Sequence, residues 1–311
     1  MAENLYSDGS LVVSEILAQE VGLKLANRAF FHMHPAIEYA GAAVGSAVTK
    51  VDYIDAGAGT LASTAENTAV AGTAFNFARA SITIAQHRLA RSVSDMLRFL
   101  DSTGTVTNVE DFAADAAGSY AKTLSGLLIT AAQSASTTVG STNTDATWEN
   151  FREAKAALVA ANAEVTPGAV VCVLHPTQWA HLEANAATAG IGDAMARSPE
   201  AQEAMQANAP LSGYRGRYFG IDVFTSASIP TANAGVDRSG FMCARTGLVW
   251  ANAMVEPSLA SEREILVDGG TLQIDFDRDS SKAMTNVYYQ ALVGASIGQD
   301  GAVVKIVTKG T

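Results

Sequence analysis

Residues 148–183 read WENFREAKAALVAANAEVTPGAVVCVLHPTQWAHLE, and the hydrophobic pattern changes three times within them. From 148 to 163 the apolar residues Trp148, Phe151 and Leu158 recur at helical spacing and face a core, while Glu149 and Arg152 are placed to pair on the surface. Residues 169–174 form a fully apolar strand that ends at His175 and Pro176, and a short helix carrying Trp179 and Leu182 follows. Helix, strand and helix in such close succession imply a mixed domain, and the rest of the chain is read outward from it.

Upstream lies the strongest helical pattern, from about Asn108 to Ser134. Asn108 is a capping residue, and Glu110 and Asp111 sit in the first turn against the positive end of the helix. Phe112, Ala116, Tyr120, Leu124, Leu127 and Ala131 make its apolar stripe, and its length of roughly 40 Å is long for a globular domain. The polar loop SASTTVGSTNTDA separates the two helices. Further back, residues 51–55 read as a short strand and 75–92 (FNFARASITIAQHRLARS) as a second extended run in which Ile82, Ile84 and Leu89 alternate with polar residues. A stretch rich in Gly, Ala, Thr and Asn joins them, so the pair reads as a long two-stranded arm. A lone hairpin of that length is at best marginally stable and needs something to lie against. Its side chains Phe75, Phe77, Ile82, Ile84 and Arg88 are therefore candidate contacts with another subunit. An amphipathic helix, residues 10–28, begins at Ser10 and carries Val13, Ile16, Leu17, Val21 and Leu25.

Downstream, a helical piece spans 199–207, and GYRGRYFGIDVFTSASIP (213–230) reads as two short strands punctuated by Gly216 and Gly220. The tail beyond Ser261 is rich in strands: ILVD, TLQIDFD, the run 283–297 and AVVKIV. No period of 20–50 residues repeats, so the fold class is α+β rather than a solenoid or propeller.

Of the 311 residues, 48% are hydrophobic and only 16% charged, enough apolar material for a sizeable core. Acids outnumber bases 31 to 20, a net charge of -11 that argues against a sequence-reading DNA-binding domain. Mean hydropathy is slightly positive, +0.14, and small residues abound, as expected of a chain whose exterior is covered by copies of itself. The opening MAENLYSDGS lacks a basic region, and the apolar run after it is broken by Glu15, Glu20 and Lys24; neither signal peptide nor membrane span is expected, and synthesis is expected in the cytoplasm.

Catalytic signatures are sparse. No phosphate-cradling G-x-x-x-x-G-K-[ST] loop occurs, and Gly57-Ala58-Gly59 reads as a turn. There is no G-x-S-x-G elbow, and the five histidines lack a pattern that would activate a serine. His32 and His34 flank Met33 without a visible third metal ligand, while Cys172, His175 and His181 read as core residues. Cys243, like Cys172, reads as a small buried hydrophobe. Asp275, Asp277 and Asp279 resemble the start of a calcium loop that fails at Ser280, where glycine is needed, and at Asn286, where the closing acid belongs. Alternation sets these three acids on one strand face, where they want a cation or a basic partner strand; a subunit contact is at least as well supported as an ion site. No cofactor and no enzymatic activity are expected.

In this order, the segments resemble the major capsid proteins of tailed bacteriophages, the Hong Kong 97-type fold. The resemblance covers nearly the whole chain and is most specific in Trp148 to Glu183, in YRGRYFGIDVFTSASIP (214–230), and in GFMCARTGLVWA (240–251) followed by strands and the late pair Tyr288-Tyr289. It implies an N-arm (1–50), an extended loop reaching over a neighbour (51–92), a peripheral domain with a spine helix (93–147), a mainly axial domain (148–245) and peripheral return strands (246–311). It also implies self-association into hexamers and pentamers of an icosahedral shell, a portal, decoration proteins, DNA packaged without sequence preference, no membrane partner, and residence in the virion after assembly in the host cytoplasm. Because the chain reaches its arm by Val51, a separate scaffolding protein is expected. Some family members crosslink through a lysine of the extended loop, but no lysine lies between Lys50 and Lys122. Mature particles boiled in SDS are therefore expected to run as single subunits; covalent ladders on the gel would contradict this. The alternatives are an encapsulin-type compartment, told apart by neighbouring terminase or portal genes, and a cytoplasmic α+β enzyme, opposed by the lack of clustered catalytic groups.

Overall fold

The computed structural model describes residues 34–43, 48–54, 77–94, 109–161, 163, 165–188, 213–253, 264–267 and 272–310. The helices expected at 10–28 and 199–207, the tip of the arm, His32 and Phe75 lie outside the described residues. In chain order the elements are β1 (Ile37–Ala43), β2 (Val48–Ile54), β3 (Phe77–Thr83), β4 (Ala85–Ser94), α1 (Val109–Ala132), β5 (Thr137–Val139), α2 (Trp148–Ala160), β6 (Val170–Leu174), α3 (Pro176–Thr188), β7 (Tyr214–Tyr218), β8 (Ile221–Thr225), β9 (Thr231–Ala232), β10 (Asp237–Ala244), β11 (Leu248–Ala253), β12 (Glu264–Val267), β13 (Leu272–Asp279), β14 (Met284–Ile297) and β15 (Val303–Lys309).

Two sheets carry the fold. The first runs β1-β11-β14-β13-β12, with β4 also paired to β14. Leu292 and Val293 pair with both β4 and β11, while Met284–Gln290 pair with both β4 and β13. It follows that β11 and β13 lie end to end along one side of β14 and β4 lies along the other. The second sheet runs β5-β15-β10-β6-β8-β7, with β9 on β10.

The long helix α1 closes one core. Its buried residues Ala117, Tyr120, Leu124, Leu128 and Ala132 recur every three or four positions and, with Ala116, cluster with Val287, Tyr289, Ala291 and Val293, alternate residues of β14. Leu127 and Ala131, assigned to the stripe from the sequence, are only partly buried at its margin. Burying Leu124 and Leu128 fully contributes roughly 1.5–3 kcal/mol each.

The apolar run of β6 is explained by burial on both faces. Val171 and Val173 join the core beneath α1, whereas Val170, Cys172 and Leu174 face α2 and α3 in a second core with Trp148, Phe151, Leu158, Trp179 and Leu182. Thr147 opens α2 with a capping box: its Oγ1 accepts from the Asn150 amide at 3.3 Å, and Asn150 Oδ1 accepts from the Thr147 amide at 3.1 Å. The helix stops at Ala160, three residues short of the sequence reading. The His175-Pro176 turn is held by Gln178, which is fully buried. Its Oε1 accepts from the His175 amide at 3.0 Å, and its Nε2 donates to Arg238 O, Ile306 O and Thr308 Oγ1 at 3.0, 3.2 and 2.8 Å. One amide thus ties the start of α3 to the middle of the second sheet.

The arm differs from the sequence reading. Strand β2 pairs antiparallel with β3 from Val48↔Thr83 to Ile54↔Phe77, but the second extended run is two strands, because Ile84 interrupts it and β4 continues into the first sheet. The arm also has its own support: Ala80, Ile82 and Ile84 pack on Val249 and Ala251 of β11. A period-two pattern is the same on both sides of Ile84, so periodicity alone could not place the break.

Candidate functional site

Most groups that chemistry could use hold the subunit together. Cys172 and Cys243 are buried and free of disulfides; burial pushes both thiols up, that of Cys243 to about 12. Among the described residues, no group of three His, Cys, Asp or Glu side chains is placed to hold a metal ion. His175 Nδ1 lies 2.8 Å from Thr177 Oγ1, and burial first, then the Arg238 charge, lowers its pKa.

His34 belongs to a buried cluster that the sequence reading missed. Asp222 is 1% exposed, between Ile221 and Val223 in the buried strand β8. Its Oδ1 accepts from Tyr214 Oη at 2.8 Å and Arg217 Nε at 3.0 Å; its Oδ2 accepts from Arg217 Nη2 at 2.8 Å and His34 Nε2 at 2.9 Å. The Ala36 amide donates to His34 Nδ1 at 3.1 Å, so Nε2 carries the hydrogen that reaches the carboxylate. Burial pushes the Asp222 carboxyl up, but the hydrogen bonds from His34, Arg217 and Tyr214 outweigh it and hold the group at about 2. The cluster fastens the segment before β1 to the second sheet across 188 residues. The lone acid in Ile221-Asp222-Val223-Phe224 was its visible signal.

The suspected subunit contacts fall into four groups. Ile82 and Ile84, 0% and 9% exposed, are buried within their own chain. Phe77 lies on β3 opposite Ile54. Arg88 is exposed, with its guanidinium carbon 5.7 Å from the centre of the Tyr288 ring. Register puts Arg88, Gln290 and Gln273 in one row, Ala90, Tyr288 and Asp275 in the next, and Ser92, Asn286 and Asp277 in a third, all on the face of the first sheet away from α1. Asp275 and Asp277 therefore share a polar face with Arg88. Asp279 closes its own turn instead, accepting from Ser281 and lying 3.4 Å from Lys282 Nζ; the Ser281 hydrogen bond is the main cause of its lowered pKa. On the arm, Arg79 forms a bidentate pair with Asp52 at 2.5 and 2.9 Å, and both side chains are about half exposed.

One further surface feature lies at the β7–β8 turn. Tyr218 pairs with Ile221, leaving a two-residue loop, Phe219-Gly220, with φ of 55° and 80°. Positive φ at both positions is the type I′ pattern, for which Asn-Gly is the favoured sequence. Phenylalanine in that left-handed position costs roughly 1 kcal/mol, and the side chain is 42% exposed. Arg152, expected to pair with Glu149, sits instead over this ring at 5.5 Å, and Lys155 Nζ donates to the Phe219 carbonyl at 2.8 Å.

No known family model matches the chain, and no curated protein matches it in sequence. Solved structures do match the fold. The capsid of cyanophage Pam1 superposes with a TM-score of 0.61 at 12% identity, covering 91% of this chain and 92% of that one. The capsid of Ralstonia phage GP4 gives 0.60 at 13% identity, covering 92% and 90%. The holo-SrpI encapsulin complex from Synechococcus elongatus PCC 7942 gives 0.56 at 12% identity, covering 86% and 83%. The chain therefore has an α+β shell-subunit fold. More particularly, it is the Hong Kong 97-type fold of tailed-phage major capsid proteins.

Proposed function

We propose that this chain is a major capsid protein, assembling with copies of itself into the hexamers and pentamers of an icosahedral head that encloses the double-stranded DNA of a tailed phage. The observation that carries the reading is the match to phage capsid subunits over about nine-tenths of both chains. The role is mechanical rather than catalytic: the buried thiols and the His34–Asp222 pair are committed to the core. A shell closes through many modest repeated contacts, because each subunit has several neighbours. The net charge of -11 would repel packaged DNA and let it move past the inner wall. A separate scaffolding protein would set curvature, a portal would occupy one vertex, and decoration proteins would bind outside.

The test is expression alongside the neighbouring genes followed by negative-stain microscopy. Monodisperse icosahedral particles are expected; a small soluble oligomer under every condition overturns the reading. The encapsulin likeness supports a second reading, a shell around protein cargo. Nuclease-protected double-stranded DNA in purified particles supports the phage head, and co-purifying enzyme cargo without DNA supports the compartment.

A further inference from the structure

We infer that neighbouring subunits join through a charge-matched contact: the face of α2 carrying Arg152 and Lys155, with the Phe219 ring beside it, docks on the face of the next copy's first sheet that carries Asp275 and Asp277. The inference deepens the shell reading and rests on it.

The docking element is a fixed aromatic flanked by cations. An Asn-Gly loop would make the β7–β8 connection without strain, yet a phenylalanine stands there and is 42% exposed. Trp148 and Phe151 lie beside the ring at 6.0 and 6.3 Å between centroids, Arg152 is above it, and Lys155 holds its carbonyl. Val159, 55% exposed, continues this face of α2 one turn beyond Lys155. Arg79, Arg91, Arg217 and Lys282 each hold an aspartate of their own chain, whereas among the described residues neither Arg152 nor Lys155 is ion-paired. An exposed aromatic beside unpaired cations has the composition of an interface anchor for an acidic surface.

The receiving face is the part of the first sheet that the arm leaves open. On the side away from α1, Ala80 and Ile82 of the arm cover Val249 and Ala251 of β11, and Gly294 lies against Thr83. Further along β14 the same side presents Tyr288, with half-buried Asp275 next to it on β13 and exposed Asp277 one row on. Among the described residues neither acid is ion-paired. On its other flank Tyr288 has only the exposed Ala90, so an aromatic surface is open beside the acids.

The order of charge on the two surfaces is complementary. Along α2, Lys155, Arg152 and Glu149 follow at steps of three residues, two positive charges and then a negative one. Along the sheet, successive rows carry Asp277, Asp275 and Arg88, two negative charges and then a positive one. Side chains three apart on a helix are about 5–6 Å apart and alternate rows of a strand about 7 Å, so lysine and arginine span the difference. Glu153 lies on the opposite side of the helix from Lys155 and does not enter the match. The chain itself carries both halves, which makes a second copy the partner. Because the halves lie on different elements, the contact is heterologous, and each bound copy keeps one of each for the next, as a ring or shell requires.

Charge reversal in the full chain reads the contact. Arg152→Glu and Asp275→Lys, each alone, are expected to melt within a few degrees of the parent and to associate about tenfold more slowly by light scattering. Mixed, the two chains meet opposite charges at every contact, one kind as in the parent and the other reversed. Co-assembly within about threefold of the parent's rate is therefore expected. Phe219→Asn supplies the residue that the turn favours, so it is expected to keep the fold and lose association by a similar factor. Association of either reversal at the parent's rate, or a mixture no better than its components, overturns the inference; the second result is what a foreign acidic partner on α2 would give. Should Asp275→Lys unfold, the exposed Asp277→Lys takes its place in the mixture with the same outcomes. Small oligomers of the parent that are lost on one reversal and restored on mixing, read by analytical ultracentrifugation, defeat the shell reading alone. Shells indifferent to both reversals defeat the contact alone.

Discussion

Asp222→Ala is expected to destabilise the unassembled subunit by about 3–5 kcal/mol, because it leaves buried His34 and the Arg217 guanidinium facing an empty position. The carboxylate accepts four hydrogen bonds from three side chains. Urea titration at neutral pH measures the loss; a change below about 1 kcal/mol would show that the cluster is incidental. The same group makes a signed prediction in acid. Its folded pKa of about 2 lies below the ordinary value of 3.8, so the folded state favours the charged form. The resulting stability is fully present above pH 4 and is lost as pH falls towards 2, with an amplitude of about 2 kcal/mol. Asp222→Asn should remove that acid dependence while keeping some of the hydrogen bonds. The amides of His34 and Ala36 should exchange faster in either variant, since the cluster is what fastens them to β8.

Gly294→Val is expected to cost about 3 kcal/mol and to lift the hairpin from the first sheet. A Cβ at this position of β14 would lie 2.2 Å from the Thr83 carbonyl oxygen and 2.9 Å from its carbon. The obstacle is backbone at the β3–β4 junction, so no side chain can rotate away from it. Seating Ile82 on Val249 and Ala251 depends on that close approach. Faster hydrogen exchange through β2 and β3, with α2 and α3 still protected, is the expected signature; unchanged protection of the hairpin would refute it. If the arm reaches over a neighbour, as the resemblance to capsid proteins implies, the same variant should also fail to form shells.

Much of this architecture was legible along the chain because local spacing encodes it. The long helix, the α2–β6–α3 succession and the terminal strands follow from periods of 3.6 and 2 and from a continuous apolar run. The alternation that set Asp275 and Asp277 apart from Ile274 and Phe276 was likewise readable, since Ile274 and Phe276 do face the core under α1. The candidate contacts were less legible. Ile82 and Ile84 look the same in sequence whether their cover is another subunit or their own β11, because alternation reports a buried face and not who buries it. Asp279 was grouped with its neighbours by spacing, while its hydrogen bonds are made inside a turn.

The kind of elements, their order and the resemblance to capsid subunits are written along the chain, since they rest on residue spacing within windows of a few turns. Long-range packing is what gathers His34, Tyr214, Arg217 and Asp222 into one cluster, breaks the second arm strand at Ile84 and admits the hairpin at Gly294. Sequence distance hides these contacts: 188 residues separate His34 from Asp222 and more than two hundred separate Thr83 from Gly294. Such pairings follow from how sheets stack, which no local pattern records.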